Sequence, residues 1–95
     1  MAPLSSGDAQ KALVSLAIEK ALLEIGNAAL EEVGNRLYAK YKCYFIDCLE
    51  HPDYLKDTLD EMFGLCHDSI IQSIERYLAE FVHEKPITKF LAVIR

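Results

Sequence analysis

Three residues in the middle of the chain, Cys43, Cys48 and His51, have side chains that could bind a metal ion or react as thiols. Structural zinc sites take four cysteine or histidine ligands, usually from pairs separated by two to four residues. Four residues separate Cys43 from Cys48, and two separate Cys48 from His51. These three side chains are therefore the candidate metal ligands, and Cys66 or His67 would supply the fourth.

The alternative to a metal site is that the same residues are structural. Cys66 and His67 are adjacent, and adjacent side chains on a helix point about 100° apart, so they do not form a good ligand pair. Free cysteines are most often small buried apolar residues. On this interpretation Cys43 and Cys48 are buried, and His51 helps to cap the helix that begins at the next residue.

A reversible disulfide between Cys43 and Cys48 is a further possibility, because a folded-back loop can bring two cysteines within bonding distance. The spacing differs from the two-residue spacing of thioredoxin-type sites, and Lys42 is the only adjacent base that could lower a thiol pKa. The odd total of three cysteines favours free thiols in a reducing compartment. A zinc- or thiol-dependent switch centred on Cys43, Cys48 and His51 is thus one hypothesis for function.

Catalytic arrangements are not evident in the sequence. The run Cys66-His67-Asp68 contains the residue types of a catalytic triad, but consecutive side chains diverge instead of converging on a substrate. No Gly-rich phosphate loop and no nucleophile elbow is present. We therefore predict a protein that is not an enzyme, with no catalytic residues and no cofactor.

The acidic balance of the chain argues against nucleic acid as a partner. The formal net charge is −5, whereas phosphate binding needs a basic face. The stretch 36–45 does alternate bases with aromatics, as in single-strand binding proteins, but basic residues are also favoured near a helix C-terminus. We predict no nucleic-acid partner.

The sequence also gives an expectation for location. Residues Met1–Gly7 lack the basic and apolar regions of a signal peptide. The most apolar run, Ala12–Ile18, is far shorter than the roughly 20 residues that a membrane span needs. We predict a cytoplasmic protein without membrane contact.

The hydrophobic periodicity predicts an all-α fold, a compact bundle of four or five helices with short loops. A flexible N-terminal tail, residues 1–7, precedes a single helical domain, residues 8–95, with Asp8 as the first N-cap. Gly26-Asn27 either ends the first helix or kinks one long helix. The predicted helices are 8–25, 28–42, 52–63, 66–84 and 87–95.

The last predicted helix suggests a partner surface. Ile87, Phe90, Leu91 and Ile94 share one apolar face of a segment that is too short to hold a helix alone in water. The segment packs on its own bundle, on a second copy or on another protein. An apolar content of 52% supports a covered surface, so these four are the candidate partner-binding residues. A small-ligand pocket lined by Tyr38, Tyr41 and Phe63 stays open.

A series of short motifs gives the chain a resemblance to a small helical domain of ammonia-oxidising archaea, the Nitrosopumilus-type output domains. The resemblance covers about Ala17 to Ile94 and implies a helical module of signalling output, without an established enzyme activity. Combined with the residues above, it predicts a non-enzymatic interaction or signal-output module that self-associates as a homodimer. The motifs are Cys43, Asp47-Cys48, His51-Pro52, Tyr54-Leu55, Phe63-Gly64, Ile70, Ser73-Ile74, Phe81, Pro86-Ile87 and Phe90-Leu91.

Overall fold

A computed structural model describes residues 6–64 and 67–95, with side chains for 9–64 and 67–95. Within these residues the elements are all helical, with short 3₁₀ turns at Phe45–Asp47 and Ala79–Phe81. The predicted all-α bundle is therefore confirmed. The five α-helices are α1 (Ser6–Leu23), α2 (Asn27–Tyr41), α3 (Pro52–Phe63), α4 (His67–Tyr77) and α5 (Lys85–Ile94).

Helix α1 is the element around which the others pack. It contacts α2, α4, α5 and the Phe45–Asp47 turn, while α3 packs against α2, α4 and α5. Full burial of an aliphatic side chain contributes roughly 1.5–3 kcal/mol, so this one core is the main source of stability. Its members are Val14, Ala17, Ile18, Ala21, Leu22, Val33, Leu37, Cys48, Leu55, Leu59, Ile70, Ile71, Ile74, Leu78, Ile87, Phe90, Leu91 and Ile94.

The first helix begins earlier than the sequence predicts. It starts at Ser6, so Asp8 lies inside the helix and is not its N-cap. No proline separates Ser6 and Gly7 from the apolar repeat, and nothing therefore stops the helix from extending backwards. Ser6 and Gly7, which the tail prediction included, are helical, and the remainder of the predicted tail, 1–5, lies outside the described residues.

Gly26 separates α1 from α2, which decides between the two alternatives for Gly26-Asn27. The backbone leaves helical geometry there with φ 153° and ψ 163°, a region that is essentially restricted to glycine. The N–H groups of Ile25 and Gly26 still donate to the Leu22 carbonyl, at 3.0 and 3.1 Å. The first two predicted helices are therefore two separate helices.

The predicted fourth helix, 66–84, is too long. It ends at Tyr77, because Leu78 leaves helical geometry with φ −100° and ψ 6°. The chain then passes through the 3₁₀ turn Ala79–Phe81 before α5 begins. The Thr88 hydroxyl of α5 donates hydrogen bonds to the carbonyls of Val82 and Glu84, which holds this connection in place. Leu78 and Phe81 keep a three-residue spacing that 3₁₀ and α-helices share, so periodicity could not locate this end. The predicted start at Cys66 lies outside the described residues.

Substitution of the glycines tests the two-helix architecture. Gly26→Ala should lower the free energy of unfolding by about 1–3 kcal/mol, because alanine is strained at φ 153°. Gly34→Ala is the matched control, since Gly34 lies inside α2 and a Cβ there would be 3.5 Å from the Phe45 ring, an ordinary contact. This control should raise the free energy of unfolding by about 0.5–1 kcal/mol. Urea unfolding measures both free energies. Equal effects of the two substitutions would contradict the conclusion that Gly26 holds a backbone conformation restricted to glycine.

Glu24 fixes the C-terminal end of α1 to α4. Its carboxylate accepts hydrogen bonds from the Ser73 hydroxyl at 2.8 Å and the Tyr77 hydroxyl at 2.5 Å, and Arg76 lies 3.5 Å away. The Tyr77 and Ser73 hydrogen bonds lower the pKa of Glu24 below its usual value. The same contact raises the pKa of Tyr77.

This contact should make stability depend on pH. Because the pKa of Glu24 is lowered in the folded state, its contribution is present above the unfolded pKa of about 4.5 and is lost as pH falls through the folded pKa. Glu24→Gln should therefore be less stable than wild type at pH 7, and the two should converge in acid. Thermal unfolding between pH 7 and 3 measures this. Glu31→Gln, an exposed position on α2, is the control. A stability difference between wild type and Glu24→Gln that does not change with pH would refute the stabilising role of the Glu24 carboxylate.

Candidate functional site

The three candidate metal ligands do not converge. Cys43 and Cys48 are buried free thiols, whereas the exposed His51 ring stacks on Tyr54 with 4.7 Å between ring centroids. Among residues 6–64 and 67–95, no three His, Cys, Asp or Glu side chains are placed to hold a metal ion. The described residues therefore give no support to the predicted metal site at Cys43, Cys48 and His51, which stays a prediction. Cys66, one possible fourth ligand, lies outside the described residues.

The remaining candidate ligand, His67, is held at the start of α4. Its Nδ1 lies 2.7 Å from the Gly64 carbonyl oxygen and 3.2 Å from an Asp60 carboxylate oxygen. The ring thus contacts the junction between α3 and α4. It serves as a connection between these two helices.

Cys48 behaves as a core residue. It has no exposed surface, and its thiol donates a long hydrogen bond to the Tyr44 carbonyl, at 3.7 Å. Burial raises the pKa of Cys48 to about 12, with smaller contributions from Cys43 and Asp47. Burial also raises the pKa of Cys43. Since the thiolate is the reactive and metal-binding form, the raised pKa values disfavour the reactive form of both cysteines.

The loop between α2 and α3 is organised by its backbone. Lys42 adopts the left-handed conformation at φ 57°, and its N–H donates to the Tyr38 carbonyl at 2.9 Å, as in the αL type of helix end. The Cys43 N–H donates to the Leu37 carbonyl at 3.4 Å. The Asp47 carboxylate then accepts the Tyr44 N–H at 3.0 Å. The loop is therefore a structural connection between two helices.

His51 occupies the N-cap position of α3, but its side chain makes no capping hydrogen bond. The expected capping role is therefore not observed. Its ring instead ends a stack in which Tyr54 also lies parallel to Tyr41, with 4.1 Å between centroids. These three rings attach the loop to α2 and α3.

The four candidate partner-binding residues lie in the chain's own core. Ile87, Phe90 and Ile94 have no exposed surface and Leu91 retains 2%. Helix α5 packs on α3 and α1, and its apolar face is used there. Of the three alternatives for this segment, the structure supports packing on its own bundle, which leaves Ile87, Phe90, Leu91 and Ile94 covered within the chain.

Tyr38, Tyr41 and Phe63, for which a shared ligand pocket was left open, do not line one cleft. Tyr38 lines a cleft beside α1, whereas Phe63 lines another cleft at the α1–α4 junction. The Tyr41 ring stacks on Tyr54, and its hydroxyl donates to Asp57. The three side chains are thus divided between separate surfaces.

The basic and aromatic stretch 36–45 is partly neutralised by α3. Lys40 pairs with Asp57 at 2.7 Å and Glu61 at 3.0 Å, and Arg36 pairs with Glu61 at 2.6 Å. These ion pairs connect α2 to α3. The two bases are therefore held by carboxylates of the same chain.

Sequence reasoning missed the outward surface of α1. A helix in a water-soluble bundle normally presents polar residues to solvent, and a helix that is apolar all round is normally buried. In α1, Leu16 and Leu23 are 48% and 45% exposed, and Ala12 is also exposed. We call the outward residues Ala12, Leu16, Glu19, Lys20 and Leu23 the α1 face. The apolar run Ala12–Ile18 was the available indication, because seven consecutive helical residues point in all directions.

Two clefts border the α1 face. The larger, about 510 Å³, lies between α1, α2 and the following loop, and we call it the tyrosine cleft. The smaller, about 110 Å³, lies between α1 and α4, and we call it the Tyr77 cleft. Lining residues of the tyrosine cleft include Ser15, Glu19, Tyr38, Tyr44, Phe45 and Ile46; those of the Tyr77 cleft include Leu13, Leu16, Lys20, Tyr77 and Phe81.

Aromatic packing shapes the tyrosine cleft. The Phe45 ring packs against α2 at Gly34, where it lies 3.5 Å from the position that a Cβ would occupy. The Tyr38 and Tyr44 rings are 5.3 Å apart, and the Lys42 ammonium lies 5.0 Å above Tyr38. Tyr44 remains 60% exposed, so the cleft offers aromatic surface to a partner.

Exposed apolar side chains concentrate around α1. Of the nine large ones among the described residues, six lie on the α1 face or in its two clefts. Contiguous exposed apolar surface of this kind marks interaction sites in soluble proteins. The six are Leu16, Leu23, Tyr38, Tyr44, Ile46 and Tyr77.

Comparison of the chain with protein-family models, with characterised proteins and with solved structures finds no match. The resemblance to archaeal output domains therefore stays a prediction. Within the described part of the chain, no helix has both the length and the apolar character that crossing a membrane requires.

Thiol labelling tests the buried state of the cysteines. At pH 8 the native protein should incorporate iodoacetamide at Cys48 at least about 100-fold more slowly than the urea-unfolded protein, because a buried thiol with a raised pKa forms little thiolate. Peptide mass spectrometry separates Cys48 from the other cysteines. Native labelling at the unfolded rate would contradict this placement.

Proposed function

We propose that this chain is a non-enzymatic protein-interaction module that self-associates through the α1 face. The observation that supports the proposal is the outward apolar surface of α1, with exposed tyrosines on both sides. Helix α5, the other candidate, uses its apolar face internally, so it offers no comparable surface. The α1 face is therefore the strongest candidate for contact with a second protein.

The composition of this surface suits an interface. Tyrosine is enriched at interfaces because its ring buries a large apolar area while its hydroxyl keeps a polar contact. A stable interface takes about 800 Å² from each partner, more than one helix alone presents. Tyr44 and Ile46 on one side and Tyr77 on the other extend the surface beyond α1.

The proposal includes a role in signal output and a cytoplasmic location. The output role follows from the resemblance alone. The cytoplasmic location is supported by the free thiols Cys43 and Cys48, since such thiols persist in reducing compartments. The proposed partner is a second copy of this chain or another protein. The zinc- or thiol-dependent alternative loses its support, because its three central residues do not converge.

Substitution on the α1 face tests the proposal. Leu16→Glu should raise the dissociation constant for self-association about tenfold or more, because it places a charge at the centre of the apolar surface. Val93→Glu is the matched control, since Val93 is also exposed, at 40%, but lies on α5. Sedimentation velocity over about 1 µM to 1 mM measures both, and circular dichroism verifies that each variant is folded.

The control should self-associate like wild type. A wild-type protein that remains a 10.7 kDa monomer at every concentration would refute self-association. Equal weakening by the two substitutions would show that the α1 face has no special role.

A further inference from the structure

We propose that two copies associate with their α1 helices side by side and parallel, so that Glu19 of each chain pairs with the partner's Lys20. This inference rests on the proposed function. It adds the orientation of the two copies and the contacts that fix it. The orientation follows from the positions of Glu19 and Lys20 relative to the line through Leu16 and Leu23 on α1.

The two charges lie on opposite sides of that line. Successive residues of a helix are about 100° apart, which places Leu16 and Leu23 within about 20° of each other. Glu19 and Lys20 then lie about 50° to either side of their midpoint. The clefts agree with this geometry, because Glu19 lines the tyrosine cleft and Lys20 lines the Tyr77 cleft.

In a twofold-symmetric dimer, the positions of Glu19 and Lys20 distinguish a parallel pair of α1 helices from an antiparallel pair. A twofold axis parallel to α1 brings the Glu19 side of one chain against the Lys20 side of the other, and it does so twice. A twofold axis perpendicular to α1 brings like sides together, so that Glu19 meets the partner's Glu19. Like charges in an interface cost binding energy and opposite charges select the register. The charge pattern therefore favours the parallel pair.

Both charges are available for such a contact. Within the described part of the chain, neither Glu19 nor Lys20 forms an ion pair, and the Lys20 ammonium lies 5.8 Å above the Tyr77 ring. Glu24, by contrast, is already held by α4. An intermolecular partner for Glu19 and Lys20 thus breaks no ion pair among the described residues.

The apolar surfaces also match in the parallel arrangement. Leu16 and Leu23 meet their own counterparts along the axis, and the tyrosine cleft of each chain faces the partner's Tyr77. An exposed tyrosine side chain opposite a 510 Å³ cleft lined by Tyr38 and Tyr44 extends the apolar contact on both flanks. Charge and shape therefore select the same orientation.

Charge reversal tests the pairing. Glu19→Lys and Lys20→Glu should each raise the dissociation constant of the dimer about tenfold, because each creates two like-charge contacts. An equimolar mixture of the two variants should form a heterodimer with approximately the wild-type dissociation constant, since both contacts are again attractive. Glu31→Lys and Lys89→Glu, exposed positions on α2 and α5, are matched controls that change net charge equally and should leave the dimer unchanged.

Cysteine cross-linking tests the orientation independently. Leu16→Cys and Leu23→Cys should each give a disulfide-linked homodimer under mild oxidation, in a Cys66→Ser background that alone gives none. The two positions are about 10.5 Å apart along the helix, so an antiparallel pair can bring at most one of them beside its own counterpart. Peptide mapping identifies the linked residues.

The outcomes separate this inference from the proposed function. A dimer that is weakened by Leu16→Glu, but not by either charge reversal, would overturn the parallel pairing and leave the α1 face as the interface. A variant mixture that binds more tightly than wild type, while each variant alone binds like wild type, would indicate the antiparallel pair. Absence of any dimer would overturn both proposals.

Discussion

The packing of α1 on its neighbours is the constraint on which the rest of the structure depends. Ile18 and Leu22 are fully buried, and α1 contacts α2, α4, α5 and the Phe45–Asp47 turn. Gly26 reverses the chain after α1, and Glu24 ties the end of α1 to α4. Because a close-packed core transmits any displacement, these contacts fix the direction in which α1 points. Its outward residues are therefore presented as one defined surface.

In the Cys43–His51 stretch, the same fold keeps potentially reactive side chains apart from one another. Cys48 is drawn into the core, where burial raises the pKa of its thiol to about 12. His51 is directed to the surface, where it stacks on Tyr54. Residue types that could form a metal site are thereby separated by the α2–α3 connection. Spacing along the sequence could suggest such a site, but only the turn geometry decides whether the side chains meet.

Helix positions were largely predictable, whereas helix ends and exposed surfaces were not. The apolar repeats identify α2 and α3 closely, since Pro52 and Gly64 mark the ends of α3. The end of α4 at Tyr77 depends on the backbone turn at Leu78, which leaves the apolar spacing unchanged. The sequence shows that α5 has an apolar face. Whether this face packs on the chain's own core or on a partner depends on the tertiary structure. The α1 face was missed because apolar and polar residues are interspersed around α1, so that no single polar side marks the direction of the solvent.

The α1 face is difficult to explain by folding alone. Leu16 and Leu23 lie outside the core cluster, so their exposed halves contribute little to the stability of a single chain. Exposed apolar area instead costs about 25 cal/mol per Å² relative to burial, and it promotes association between molecules. A polar residue would satisfy a solvent-facing helix position equally well, as it does at Glu31 and Glu32 on α2. A partner that covered them would turn the exposed halves of these leucines into stabilising contacts, and the adjacent opposite charges of Glu19 and Lys20 suit the proposed partner, a second copy with the same pattern.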